Sequence, residues 1–337
     1  MKRFKKIAVY TSLALLPVLA NSCTNLDEKA YDTLLTNNFY NNKNEVVSAV
    51  LRPYTHANAW ITPGQSGWWR LSELSGDQLA WPQKGRHGYD NGQWIRLHYH
   101  TWTVDESTVL NCWNLLWTGL GFCNDAIGNI EGRDAAKMGL SQEEKDGFTG
   151  ELRLLRAFHY LRLMDIYGNI PIVTTVGEPV SPETKPRAEV FSFIEKEIKD
   201  NIDKSPNLSK ALLGRMSKAG GYAMLAELYL NAEKWSGTAR WDDCIAACDA
   251  LINSTAGGMN GALALDTNLT DTYKPNNDLS KEIIFSIAYD YIISNFAPQW
   301  PGDFYHFNQG QINGNPINGN DGVVVIPGVY TTFDDAD

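Results

Sequence analysis

The sequence is poor in cysteine, in positive charge and in long apolar runs. Five cysteines in 337 residues, none in C-x-x-C spacing, exclude the common zinc modules. Lys and Arg number 29 against 39 Asp and Glu. Four of the basic residues (Lys2, Arg3, Lys5 and Lys6) lie in residues 1–22, which hold no acid. The remainder carries 25 basic against 39 acidic groups, a net charge of −14. Nucleic acid is excluded as a partner, because binding to a phosphate backbone is dominated by Lys and Arg. Past residue 22 no segment approaches 18 consecutive apolar residues, so no membrane-spanning helix is expected.

Apolar residues make up 43% and charged residues 20%, enough to build a sizeable core. Aromatics are plentiful: 11 Trp, 15 Tyr and 12 Phe, 38 rings in all. Flat amphipathic rings beyond the needs of a core suit stacking on a ligand.

Residues 1–22 read as an export signal, with a basic start and a short apolar stretch from Ile7 to Ala20. It ends in Leu19-Ala20-Asn21-Ser22-Cys23, a bacterial lipoprotein cleavage pattern in which Cys23 becomes the acylated first residue. Residues 23–34 then form a polar tether. Of the remaining cysteines, Cys112 and Cys123 are eleven apart in one helix, ~16 Å along its axis, and cannot pair. Cys244 and Cys248 are i, i+4 on another. All four read as buried thiols.

Periodicity predicts a helix over 35–54, started by Thr36 and kinked near Pro53. About 45 residues from Asn58 to Trp102 then read as a long irregular region, dense in Gly, Pro and Trp, the kind of loop that carries function. Helices are predicted over 104–130, from a capping box at Ser141–Glu144 to Tyr167, and over 187–204, 216–231 and 241–252. Such pairs, from about 104 to 254, indicate tetratricopeptide-like hairpins, with Ala219, Gly220 and Gly221 allowing close helix approach. A strand is predicted at 282–287 and a short apolar run at 323–326.

Several blocks together resemble the SusD/RagB family of Bacteroidetes outer-membrane nutrient-binding lipoproteins. They are Leu35-Thr36-Asn37-Asn38-Phe39-Tyr40, the segment from Asp90 to His98 with Trp102-Thr103, and Glu151 to Tyr160 followed by Asp165 to Pro171. The helix from Gly214 to Leu230 and the segment from Lys281 to Ile287 complete the resemblance. It implies a mainly α fold of tetratricopeptide-like helical repeats with a loop-rich ligand face and a few short strands, over residues 35–337. It also implies a glycan ligand, a SusC-like TonB-dependent transporter as partner, an anchor in outer-membrane lipid through Cys23, and a place on the cell surface. No cofactor is expected. Family members are usually longer, so the sequence resembles the N-terminal two-thirds of one.

A glycan offers weakly apolar faces for aromatic rings and hydroxyls for Asp, Asn, Gln and Arg. The stretch 68–102 supplies that mixture: Trp68, Trp69, Trp81, Tyr89, Trp94 and Tyr99, interleaved with Asp77, Gln78, Arg86, Asp90, Asn91 and Arg96. The resemblance points to Asp77 as an acidic sugar contact, with Lys84 or Arg86 after it and then Trp81 or Trp94. Asp77, Trp81, Arg86, Trp94, Arg96 and Trp300 are the candidate ligand-binding residues, each weighed against a place in the core or in a turn.

Trp113 and Trp117 read as core, and Glu151, Arg153, Arg156 and Asp165 as salt-bridged helix packing. His98 and His100 share a face only if their segment is extended, and no third metal ligand accompanies them. Two readings compete with non-catalytic glycan binding. A glycoside hydrolase needs two carboxylates roughly 5–10 Å apart, and no pair stands out. A helical-repeat scaffold that binds protein or peptide predicts that Trp81, Trp94 and Trp300 are buried.

Overall fold

Asn42 starts the first helix among the described residues: its Oδ1 accepts the Glu45 backbone N–H at 3.1 Å, while the Glu45 carboxylate accepts from the Asn41 N–H at 2.8 Å. In this computed structural model, which describes residues 39–61, 67–177, 181–289, 300–310 and 319–335, helix α1 runs Lys43–Ile61. It starts later than predicted and continues past Pro53 without stopping. Its buried stripe (Val46, Val50, Pro53, Tyr54, Ala57, Trp60) carries the helix through the proline. Thr36, the signal, the tether and Cys23 lie outside the described residues.

The stretch predicted as irregular is more ordered than that. It holds α2 (Trp68–Leu74), the two-residue strand β1 (Leu79–Ala80) and α3 (Gln93–His98). The helical layer follows: α4 (Ser107–Glu131), α5 (Gln142–Tyr167), α6 (Arg187–Asn201), α7 (Lys218–Leu230), α8 (Ala232–Ser236) and α9 (Trp241–Ile252). Between α5 and α6, β2 (Ile170–Pro171) pairs antiparallel with β3 (Thr184–Lys185). Further on come α10 (Trp300–Phe304), β4 (Val324–Val325) and α11 (Pro327–Tyr330). Strand β4 pairs antiparallel with β1, Leu79 opposite Val325.

Helix α5 organises this layer. Ser141 and Glu144 form the capping box, Ser141 Oγ accepting the Glu144 N–H at 3.1 Å and Glu144 Oε2 accepting the Ser141 N–H at 2.8 Å. Most of its length is buried, between α4 on one side and α6 on the other, with α1 against α4 and α7 against α9. Small residues let α7 come close: a Cβ at Gly221 would stand 3.0 Å from Ile202 and 3.3 Å from Leu154.

Charges inside the layer are paired. Arg156 donates to Glu197, to Asn124 Oδ1 (3.0 Å) and to the Thr174 carbonyl (3.0 Å). Glu151 takes Arg215 Nε at 2.9 Å and the Tyr54 hydroxyl at 2.7 Å, and that hydroxyl accepts the Met216 N–H at 2.8 Å. Arg153 reaches Glu131 at 2.7 Å. Asp165 differs from these: among the described residues it makes no salt bridge, and nothing donates to its carboxylate. Trp113 and Trp117 are half-buried and pack edge-on against Tyr167 and Tyr160. Cys112 and Cys123 are buried free thiols, pushed up by burial to about 11 and about 12; Cys244 and Cys248 are free and half-buried.

The segment 282–287 forms no strand. Ile283 and Ile284 both pack on the cluster of Leu208, Ala219, Ala256 and Met259. A pleated strand sends neighbouring side chains to opposite faces, so two adjacent inward residues are incompatible with one.

His159 is fully buried, with Nδ1 2.8 Å from the Leu155 carbonyl and its ring edge-on to Trp60 at 5.3 Å. A Cβ at Gly119 would lie 2.4 Å from Nε2, so glycine is required there. Burial lowers its pKa to about 4, against 6.5 for an ordinary histidine. The unfolded chain therefore takes up this proton first. Stability is complete above about pH 6.5 and falls as pH drops toward 4, by about 3 kcal/mol in all. Urea unfolding between pH 7 and 4 should show this loss, and His159→Phe should flatten it.

Candidate functional site

Among the described residues, the stretch 68–102 meets the segments around 303 and 321–327 on one face. Arg70, on α2, is buried and aims Nη2 at both oxygens of Asp303, at 3.0 and 2.8 Å; Asp303 is wholly buried. The guanidinium carbon lies 4.8 Å from the Trp81 ring and 5.0 Å from the Trp94 ring. Those two indoles stack on each other, centroids 5.2 Å apart and planes 26° apart. A cation on a ring face and an offset ring pair each contribute on the order of 1 kcal/mol beyond area burial.

The backbone encloses this cluster. A Cβ at Gly322 would lie 2.4 Å from Trp81 Cζ2, and Gly322 and Val323 both donate to the Asp303 carbonyl, at 3.0 and 2.9 Å. The Trp94 indole N–H donates to Asp90 Oδ2 at 2.6 Å. Asp90, Asn91 and Gly92 all have positive φ, which turns the chain sharply into α3.

The two tryptophans expected to stack on a ligand thus stack on each other, at 6% and 3% exposure. Their faces meet a neighbouring indole and a guanidinium. Arg96 is also committed within the protein: its fork grips Glu106 at 2.6 and 3.1 Å, and Nη1 donates to the Asn91 carbonyl. Asp77 and Arg86 are exposed. Trp300 opens α10, and its side chain lies outside the described residues.

Arg86 is at the tip of a tight turn. Lys84 and His87 exchange two backbone hydrogen bonds (2.9 and 3.0 Å), with Gly85 at φ +58°. Lys84 Nζ fastens the turn to the Asp321 carbonyl at 2.8 Å and to its carboxylate at 3.0 Å. His87 lies face to face with Phe307, planes 11° apart and centroids 5.5 Å apart. Phe307 is 47% exposed, and His306 also packs on its ring, centroids 4.1 Å apart.

A groove of about 620 Å³ opens on the same face, its walls including Trp81, Pro82, Ile95, His98, Tyr99 and Ile326. Tyr99 is 70% exposed. His98 ends a helix and His100 follows it in a left-handed conformation, so the extended pairing considered for these histidines does not form. The residues left out of the candidate set are Arg70 and Asp303, which hold the tryptophans, the exposed Tyr99 and Phe307, and the half-buried His87. Tyr99 stood in the aromatic-rich stretch. No local pattern marks Asp303 as the partner of a residue 233 positions away.

A SusD-like family model described as "Starch-binding associating with outer membrane" matches residues 26–230. The chain belongs to this SusD-like family. It is 27% identical over 156 residues to the starch-binding protein SusD of Bacteroides thetaiotaomicron, covering 45% of this chain and 27% of that protein. The fold is similar to that of surface glycan-binding protein A from Bacteroides uniformis (TM-score 0.70, 19% identity, 87% of this chain and 62% of that one). It is also similar to that of surface glycan-binding protein A from Bacteroides thetaiotaomicron in complex with laminarihexaose (TM-score 0.69, 17% identity, 88% and 62%). The SusD-like chain thus spans less than two thirds of the length of each of these relatives. The likeness agrees with the mainly helical fold expected from periodicity.

Removing one partner of a buried ion pair typically costs 3–5 kcal/mol. Asp303→Ala should lower stability by about that amount and red-shift tryptophan emission as water reaches Trp81 and Trp94. Asp77→Ala, at an exposed position, should leave both readings unchanged. Denaturant unfolding followed by fluorescence makes the comparison.

Proposed function

We propose that the chain binds glycans at the cell surface without cleaving them, through the face that carries Arg86, the His87–Phe307 stack, Asp77 and Tyr99. One observation carries the reading. Tyr99 lines a groove as an open ring, and the adjoining segments carry the exposed Asp77, Arg86 and Phe307, over a support immobilised by Arg70, Asp303, Trp81 and Trp94. Such a face offers rings to the apolar sides of sugars and charged groups to their hydroxyls with little loss of side-chain freedom on binding. Family membership, and the starch and laminarihexaose named for relatives, support a glucan as the ligand class. Acylated Cys23 would tether the chain to the outer membrane, and a TonB-dependent transporter would receive the ligand.

The carboxylates on this face favour binding over hydrolysis. Asp303 neutralises Arg70, Asp321 holds Lys84 and Asp90 holds the Trp94 indole. Asp77 is exposed to solvent, with no burial to hold it protonated as a general acid.

Peptide binding is the second reading, and the burial of Trp81 and Trp94 favours it. Its site would be the cleft of about 520 Å³ between α4, α5 and α6, lined by Asn124, Arg153, Arg156, Thr174, Phe193 and Glu197. Calorimetry against maltohexaose, laminarihexaose and a mixed peptide pool separates the two. Glycan binding that weakens about tenfold in Arg86→Ala and Tyr99→Ala, with no reducing ends released, is the expected result. Binding of peptides alone would replace the glycan reading, and release of reducing ends would revive the hydrolase.

A further inference from the structure

A second groove, of about 370 Å³, lies on the other side of α3 and shares no lining residue with the first. Its walls are Leu71, Ser72 and Ser75 from α2 and its end, Leu97 from α3, Trp102 and Val109 beyond it, and Asp165, Ile166 and Tyr167 from the end of α5. We propose that this groove is a separate binding subsite for a single neutral pyranose ring, stacked on Trp102 and hydrogen-bonded to the Asp165 carboxylate and the Ser72 hydroxyl.

Its aromatic rings are fixed in place. Trp102 is exposed, and the His100 ring braces it edge-on at 5.3 Å. His100 is held in turn by its Nε2, 2.7 Å from the Ser75 carbonyl, in a left-handed backbone conformation. Tyr167 donates its hydroxyl to the Val109 carbonyl at 2.8 Å, which leaves its ring as a rigid wall. Ser75 Oγ donates to the Leu71 carbonyl at 2.5 Å, which leaves the oxygen able to accept. Ser72 Oγ has no partner among the described residues.

Asp165 sets the ligand class. Among the charged side chains of α5 described above, it alone is half-buried without a donor to its carboxylate. Burial raises its pKa and Glu227 adds to the rise, while Arg162 and Arg187 act in the opposite direction. A carboxylate in that position needs hydrogen-bond donors. An apolar ligand would leave it dry. A cationic ligand would compete with the fields of Arg162 and Arg187 that already act there. Neutral vicinal hydroxyls satisfy it, and the ring that carries them has an apolar face for the indole. The volume, near the small end of ligand pockets, suits one sugar unit.

The test is ¹⁹F NMR on the full chain labelled with 5-fluorotryptophan, with the Trp102 resonance assigned through Trp102→Phe. Methyl α-glucoside, methyl β-glucoside and laminarihexaose are titrated in turn. The expected result is a saturable shift of the Trp102 resonance, weakened about tenfold or more in Asp165→Asn. Because that substitution preserves size, the other tryptophan resonances should not move. A response to laminarihexaose alone supports the subsite and assigns its ring to a longer chain. Arg86→Ala and Tyr99→Ala should leave the Trp102 titration intact, even if they abolish binding at the first groove. That outcome separates failure of one site from failure of the other. No saturable shift with any probe, or an equal shift in Asp165→Asn, overturns the proposal.

Discussion

The buried contact between Arg70 and Asp303 joins two parts of the chain 233 residues apart, and the surface around the first groove depends on it. A lone guanidinium in that position would be too costly to bury, as would a lone carboxylate. Together they neutralise each other, and the two indoles cover the guanidinium that remains. The pair also fixes the backbone. Gly322 and Val323 donate to the Asp303 carbonyl, and Gly322 lies against Trp81, where a larger residue would collide. Strand β4 follows immediately and pairs with β1. A few polar contacts thus position both walls of the first groove.

The helical layer has the same logic on a larger scale. Its buried charges, Arg156 with Glu197 and Glu151 with Arg215, each have further hydrogen bonds to spare groups, so none is left dry. Such networks add little net stability over apolar packing, but breaking one partner is expensive, which disfavours other helix registers. The long α5 therefore has one seating between α4 and α6, and its C-terminal end brings Asp165, Ile166 and Tyr167 to the second groove in a fixed orientation.

Much of the helical layer was legible in the sequence because its causes are local. The capping box at Ser141 and Glu144, the apolar spacing of α4 and the small residues of α7 each act within one element or between neighbours. The first described helix starts at Lys43 because Asn42 and Glu45 cap it there, and it runs past residue 54 because a proline within a well-buried stripe need not end a helix. The strand at 282–287 failed because an apolar run records burial and not direction: Ile283 and Ile284 face the same cluster. At the site, composition identified the aromatic-rich stretch but could not say which rings face outward. That depends on Asp303 and Gly322, far away in the chain, and no periodicity connects them to Trp81.

The burial of Trp81 and Trp94 changes how the aromatic surplus should be understood. A ring that binds sugar must be both open and immobile, and an isolated exposed ring on a loop is only the first. Here the open rings and their support come from different residues. The buried indoles, locked by Arg70, make the loop rigid, while Tyr99, Phe307 and Trp102 remain open on the surface it supports. Helix α3 sits between the two grooves, with Ile95, His98 and Tyr99 toward one and Leu97 toward the other. Its six residues are too few to be stable alone. They are held by Trp94 beneath and by the fork of Arg96 on Glu106, so a single short helix, fixed from below, sets the position of both surfaces.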